Sequence, residues 1–505
     1  MLSYRTKNFK PFILILTFLF LSLIDTSLSQ TSFTKPIKKG LEFEYNFQWK
    51  QAEEVFDNLT EKFPEDPRGF HYLSGIYLWR YLSNLDEKDY DNFLAYSDTA
   101  IAKGEKLMEA EHNNASLLYV MGANYSYRAL AFAKAEKFLD AVWASKKSES
   151  YLKKTLEVDS TCYDAYLGLG LYNFAVGQIP VAFRWALSLA GIKGNVDLGM
   201  SYIKKASEKG NLSRIEAKYY LSQILSDYLF QYNKAAVYLN SLVEKYPDNL
   251  LFNYSNAVIS IKRRMLKQAS DILSKIILED DTTFKQITAF SNFLMGDVLF
   301  RQNDFENAIE YYKRFIVISP DNDYIGIAYY RMGICYTILG DSVNAVESFK
   351  LTKKGNGDIE DDIFAERMGR IYAKKLLTAD EINLIKYSNL IDCGKYTAAY
   401  DSLSGLLEGL KQDDLKAEIY LNLSKAAYDL GHYKETINFA LTAKLLDNFG
   451  SKWIKPYACY YAAKADKILG YNETFLKLID EAESYTDYDY RKKLHNMLYA
   501  LRYSD

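Results

Sequence analysis

Along Ala289–Lys354 large apolar residues recur every three or four positions, the spacing that gathers them on one face of a helix. Small residues interrupt them at a fixed separation. Gly296 stands twelve positions before Ala308, and Gly333 twelve before Ala345. In matching phase around them lie Asn292, Met295, Leu299, Tyr312, Phe315 and Pro320, then Tyr329, Met332, Tyr336 and Phe349. Two helices joined by a short turn, crossing closely where the small residues meet, account for both spacings.

The spacing of twelve returns at Gly170 and Ala182, Ala257 and Ala269, Ser424 and Thr436, and Ala463 and Phe475. Pro64, Pro247 and Pro320 fall where the second helix of a pair must stop. No stretch alternates as a strand would. The pattern predicts eleven or twelve helix pairs, starting with a helix over 41–63 after a disordered linker at 30–40. An irregular array over 41–210 is expected to lead into a regular one over 211–355. An extra helix follows within 356–379, and Thr378-x-x-Glu381 offers a capping box for the next helix. A last array over 380–505 closes with a helix near 488–503 as its cap.

This phase of residues resembles the tetratricopeptide repeat, W-x2-L-G-x2-Y, then A-x3-F, then P, over 34 residues. The resemblance implies an all-α solenoid, and it implies that a partner lies along the concave face lined by each pair's first helix. Carried onto this sequence, the groove stripe runs through Asp164, Leu167, Leu171 and Phe174, then Leu251, Tyr254, Val258 and Ile261. It continues with Phe290, Phe293, Asp297, Phe300 and Arg301, then Ile327, Tyr330, Ile334 and Thr337, and later Glu418, Leu421, Lys425 and Tyr428. Such a stripe, apolar and aromatic with few charges, suits a peptide or another protein. The Lys and Asn set with which one class of these repeats clamps a chain-end carboxylate is missing. Phe293 with Asp297 and Tyr330 with Ile334 stand in its places. A second likeness covers Asp164–Ala206, where Gly168, Gly170, Asn173, Pro180, Gly191, Gly194 and Gly199 carry it. That run is similar to a eukaryotic tetratricopeptide family associated with the mitochondrial outer membrane. Within it, Val181–Ile192 reads either as packing between repeats or as an apolar surface touching a membrane or partner.

Composition narrows the reading. With 49% hydrophobic residues and only 8 Pro in 505, the chain is globular and favours helix. Arg5, Lys7 and Lys10 precede an apolar run at Phe12–Ile24, and Ser27 and Ser29 supply the small residues of a cleavage site before Gln30. The run is too short to span a bilayer easily, so a secretory signal and a periplasmic or cell-envelope location are expected. Loss of that segment, with its three basic residues and Asp25, takes the formal charge from −3 to −5. Mild acidity argues against a nucleic-acid partner. Cys162, Cys335, Cys393 and Cys459 lie far apart and read as free thiols.

Chemistry is sparse. The four His form no H-E-x-x-H, and His432 with Glu435 reads as a solvated turn pair. No P-loop or nucleophile elbow occurs, and Gly168-Leu169-Gly170 lies in helical pattern with Asn173 where a dinucleotide fingerprint needs Gly. Glu360-Asp361-Asp362 reads as a solvated helix start. No cofactor is implied. The expectation is an exported, non-enzymatic scaffold for protein partners, with a glycan binder using exposed Tyr and Trp (Trp143, Trp185, Trp453) as the alternative, and an enzyme with its site in the irregular segments as a third reading.

Overall fold

The computed structural model describes residues 30–178, 191–279, 284–410, 413–447 and 453–503. Among them are 24 helices and no strand. Helix after helix pairs antiparallel with its successor, and the turn between them is written in the sequence. Asn303 and Gly340 take up left-handed φ of 62° and 81°, and each is followed by an Asp that caps the next helix. Asp304 accepts from the Asn307 N–H at 3.4 Å and Asp341 from the Asn344 N–H at 3.1 Å. The crossing follows from the small residues. A Cβ on Gly296 would sit 2.7 Å from the Tyr312 ring, and one on Gly333 2.7 Å from the Phe349 ring. Tyr312, Phe315 and Phe349 are thereby buried, with Ala308, Ala328 and Ala345, in one continuous core. Burial of each ring stabilises the hairpins by roughly 1.5–3 kcal/mol.

The chain divides into two compact units. The first takes in the described parts of Met1–Leu225, Asn233–Asn256 and Asp281–Ile287; the second takes in those of Ser226–Tyr232, Ala257–Asp280 and Thr288–Asp505. Each bends back on itself. In the first unit the helix Gln30–Tyr45 meets residues two hundred positions away: Tyr246 donates to Glu42 at 3.0 Å and Asn249 to the Tyr45 carbonyl at 2.9 Å. In the second unit the Lys492 N–H donates to Glu360 at 2.8 Å, Phe364 packs on Tyr490 at 5.3 Å, and Arg367 pairs with Asp489.

Several expectations need correcting. Residues 30–40 belong to a helix rather than a linker, because Phe33, Ile37 and Leu41 are buried and Phe33 packs 4.3 Å from Phe63. The helix expected over 41–63 is two helices. Phe47 adopts φ 58° and breaks it ahead of Trp49–Lys62. Asp362 is not solvated. It is buried, accepting from the Ile327 N–H and the Asn356 N–H, both at 2.8 Å. Asp164, placed on the groove stripe, is instead a remote cap. Its Oδ1 accepts from the N–H groups of Asn211, Leu212 and Ser213 at 2.8–3.0 Å, holding the start of the helix Arg214–Asp227. The segment 1–29 and Trp185 lie outside the described residues. So does all of Val181–Ile192 except its last two residues, of which Ile192 is buried.

The other expected features take these forms. Thr378 and Glu381 form the reciprocal capping box. Helices run over Val196–Lys209, Glu360–Tyr372 and Arg491–Tyr503. All four thiols are free, Cys162, Cys335 and Cys459 being buried. Among the described residues no helix is long and apolar enough to cross a membrane.

Candidate functional site

The interiors of the two units differ. In the first unit the interior is filled. Seventeen residues of the 20-residue helix Ala115–Lys134 are buried, so it is covered on every side. Tyr72, Tyr119, Tyr127 and Tyr220 are fully buried within this unit, and His71 stacks on Tyr127 at 4.8 Å. Leu167, Leu171 and Phe174, expected on an open groove, are buried too. The physical reason is a close helix crossing. A Cβ on Gly199 would lie 2.6 Å from the Phe174 N and 2.8 Å from the Gly170 carbonyl, so Ala165–Gly177 and Val196–Lys209 touch backbone to backbone.

The second unit instead carries solvent-accessible charge. Lys425, Lys464 and Lys493 come from three helices, Asp413–Asp429, Ile454–Leu469 and Arg491–Tyr503. Lys425 and Lys464 are half-buried and Lys493 is exposed, yet surrounding protein pulls each ammonium pKa below the ordinary lysine value. The cause is partial loss of hydration without a close carboxylate on each. Glu418 is pushed the other way, again by burial. Arg331 is already taken, pairing with Asp297. Acidic partners lie within electrostatic reach: Asp361 and Asp392 of Lys493, and Asp429 of Lys464.

Rings fill the spaces between these charges. The Lys464 ammonium sits 3.9 Å from the Tyr428 ring centroid, and that of Lys425 about 6 Å from both Trp453 and Tyr461. Tyr457 donates to the Tyr490 carbonyl at 3.4 Å. The Tyr428 hydroxyl is raised to about 12, chiefly by burial. The surface is thus one of both charge signs and amphipathic rings, able to match a polypeptide's charged and aromatic side chains.

The stripe carried over from the resemblance scatters. Phe293, Asp297, Tyr330 and Ile334 are buried. Asp297 is spent on Tyr312 at 2.8 Å and on Arg331. Tyr254, Phe290, Phe300, Arg301 and Tyr428 are half-buried. Arg301 lies 3.5 Å from Asp392, Phe300 packs on Phe305, and Phe290 packs on Phe315. Tyr254 belongs to the first unit. A seven-residue stripe includes the seam against the neighbouring helix, which is why half of it disappears into the core.

The interior of the second unit also includes residues off the expected stripe. Tyr457, Tyr461 and Lys464 carry on the phase of Leu421, Lys425 and Tyr428 one hairpin later, and that repetition was the available signal. Lys493, Tyr490 and Asp361 had none, being brought in by the bend. His432 and Glu435 are an exposed turn pair at 3.4 Å. Among the described residues no three His, Cys, Asp or Glu could hold a metal ion.

The model of the family described as Iml2/Tetratricopeptide repeat protein 39 matches residues 145–356, less than half of the chain. That span contains the glycine crossing at Gly170 and Gly199 as well as the two hairpins around Gly296 and Gly333. The chain is built of tetratricopeptide-type helix pairs. Repeats of this type generally bind proteins or peptides and are generally non-enzymatic scaffolds. No curated protein matches the chain in sequence. Solved structures similar to it include yeast Tom70, 13% identical over 93% of this chain and 95% of that one, with a TM-score of 0.29. A human IFIT1 dimer with PPP-AAAA is 14% identical over 74% and 91%, at 0.33. A tetratricopeptide repeat protein from Parabacteroides merdae is 14% identical over 57% and 98%, at 0.24. At these TM-scores the likenesses carry no argument about ligand or shape.

Proposed function

We propose that the chain is an exported, non-enzymatic scaffold of the cell envelope whose second unit holds a protein or peptide partner in its interior. The observation that supports this most is the set of lysines there, touched by water but drawn down in pKa and left between tyrosines. A partner's carboxylates and rings would replace the water and complete those contacts. Export and the envelope location rest on the N-terminal segment alone.

A photo-crosslinking residue in place of Tyr461, with another in place of exposed Leu445 as the control, tests the reading. Cell-envelope extract should yield a discrete crosslinked polypeptide from the first position and not the second. Lys425→Glu with Lys493→Glu should abolish it. Equal crosslinking from both positions, or none from Tyr461, overturns the reading. No specific observation favours a glycan: Trp143 and Trp453 belong to different units, and the aromatics Phe364 and Tyr372 of the inserted helix pack into the core.

A further inference from the structure

The first unit closes over a cavity that its packing leaves incomplete. The cavity measures about 40 Å³ and is walled by Phe47, Trp49, Trp79 and Phe284, with Glu44 and Glu216 on its lining. Three of the rings touch one another, with centroids 4.6–5.5 Å apart. Phe47, Trp49 and the lining residue Leu251 are half-exposed, so the space meets the surface beside them. A single water needs about 10–15 Å³ on such a measure, so there is room for a small head group.

The two glutamates are the unexplained part. Glu44 and Glu216 are only 2% and 4% exposed, and no other residue donates a hydrogen bond to any of their four carboxylate oxygens. Burial raises both pKa values well above the ordinary carboxylate range, and the charge of Glu216 raises that of Glu44 further. The basic groups nearby are engaged elsewhere. Arg68 pairs with Asp66 and lies 3.6 Å over the Phe33 ring, and Lys245 reaches Glu42 and Tyr246. The other titratable groups facing the pair are tyrosines: Tyr45, Tyr72, Tyr219 and Tyr246. Two carboxyls held without donors from other residues, under ring faces whose electrostatics attract positive charge, describe a receptacle for a cation. Calcium and magnesium need six or more oxygen ligands, and only two carboxylates are present.

We propose that this cavity is a binding site for one organic cation, an alkylammonium or guanidinium head, neutralised by Glu44 and Glu216 and packed against Phe47, Trp49, Trp79 and Phe284. The head belongs either to a free amine or to a lysine or arginine side chain of a bound polypeptide. The proposal is independent of the reading of the second unit, and its failure leaves that reading untouched.

The test uses the full chain and the fluorescence of Trp49 and Trp79, which line the cavity. n-Butylamine, methylguanidine and a peptide with a capped N-terminus and one free lysine side chain are titrated against potassium chloride at equal ionic strength. A saturable fluorescence change with butylamine or methylguanidine assigns a free organic cation; a change with the lysine peptide alone assigns a polypeptide side chain. In either case Glu44→Gln with Glu216→Gln should weaken binding at least about tenfold. Trp49→Phe should remove part of the signal. Because binding recruits the charged carboxylates, affinity should rise with pH until both are ionised without ligand. Potassium acting as well as the amines overturns the proposal, as does undiminished binding by the double glutamine variant, or no response to any cation.

Discussion

The two units are made of one kind of hairpin, yet they treat buried charge in opposite ways. The first unit fills its interior with tyrosines and seals two carboxyls, Glu44 and Glu216, beneath aromatic rings. The second leaves Lys425, Lys464 and Lys493 solvent-accessible and sets them among Glu418, Asp361 and Asp392. Sealed charge without a partner opposes folding, whereas charge of mixed sign in contact with water costs little. A repeat architecture thus does not decide what its concave side is for; the residues at the first helix's inner positions do.

Phe349→Ala gives the largest effect and tests whether the units stand apart. It removes a ring that is 1% exposed, against which Gly333 packs, and should lower the stability of the second unit by about 3–5 kcal/mol. Of the four Trp at described positions, Trp49, Trp79 and Trp143 belong to the first unit and Trp453 to the second. Urea unfolding followed by circular dichroism should therefore shift while tryptophan fluorescence holds. Coincident shifts would mean that the units unfold together.

Next comes Asp362→Asn. Burial raises this carboxyl to about 6 in the folded chain, above its unfolded value near 3.9, so the fold favours the protonated form. Its contribution is complete below about pH 4 and is lost as pH rises through 6, a change of up to about 3 kcal/mol. The stability difference between wild type and variant should follow that curve in denaturant titrations from pH 4 to 7. A difference flat with pH would remove the assignment.

Neutralising the sealed pair should act in the opposite direction from most core changes. Both folded pKa values are raised, so the pair's penalty grows as pH rises. Glu44→Gln with Glu216→Gln should stabilise the unliganded first unit by about 2 kcal/mol at pH 8 and by little at pH 4. Thermal melts at the two pH values decide it, and destabilisation at pH 8 would erase the contrast between the units. Least of all, Lys425→Gln should change stability by no more than about 0.5 kcal/mol, while weakening capture of a partner in the second unit. A large loss of stability there would show that its charges serve the fold.

Much of the architecture could be read from residue order because its causes are local. A glycine twelve positions before an alanine sets a crossing within one hairpin, Asn303-Asp304 and Gly340-Asp341 each make a turn and a cap, and Thr378 with Glu381 closes a helix start. Those interactions span fewer than about 20 residues, and the periodicity records them directly. The same spacing defined a stripe of inner positions, but Leu167, Leu171, Phe174, Phe293, Asp297, Tyr330 and Ile334 of that stripe are buried.

The rest depends on distance along the chain. Asp164 caps a helix 47 residues on, Asn249 reaches Tyr45 across 204, and Lys492 reaches Glu360 across 132. Nothing in local spacing says how far each array bends, since small rotations at every crossing accumulate. Close helix crossings buried Leu167, Phe174 and Phe293, whereas the accumulated bend brought Lys493 beside Asp361 and set Glu44 against Glu216.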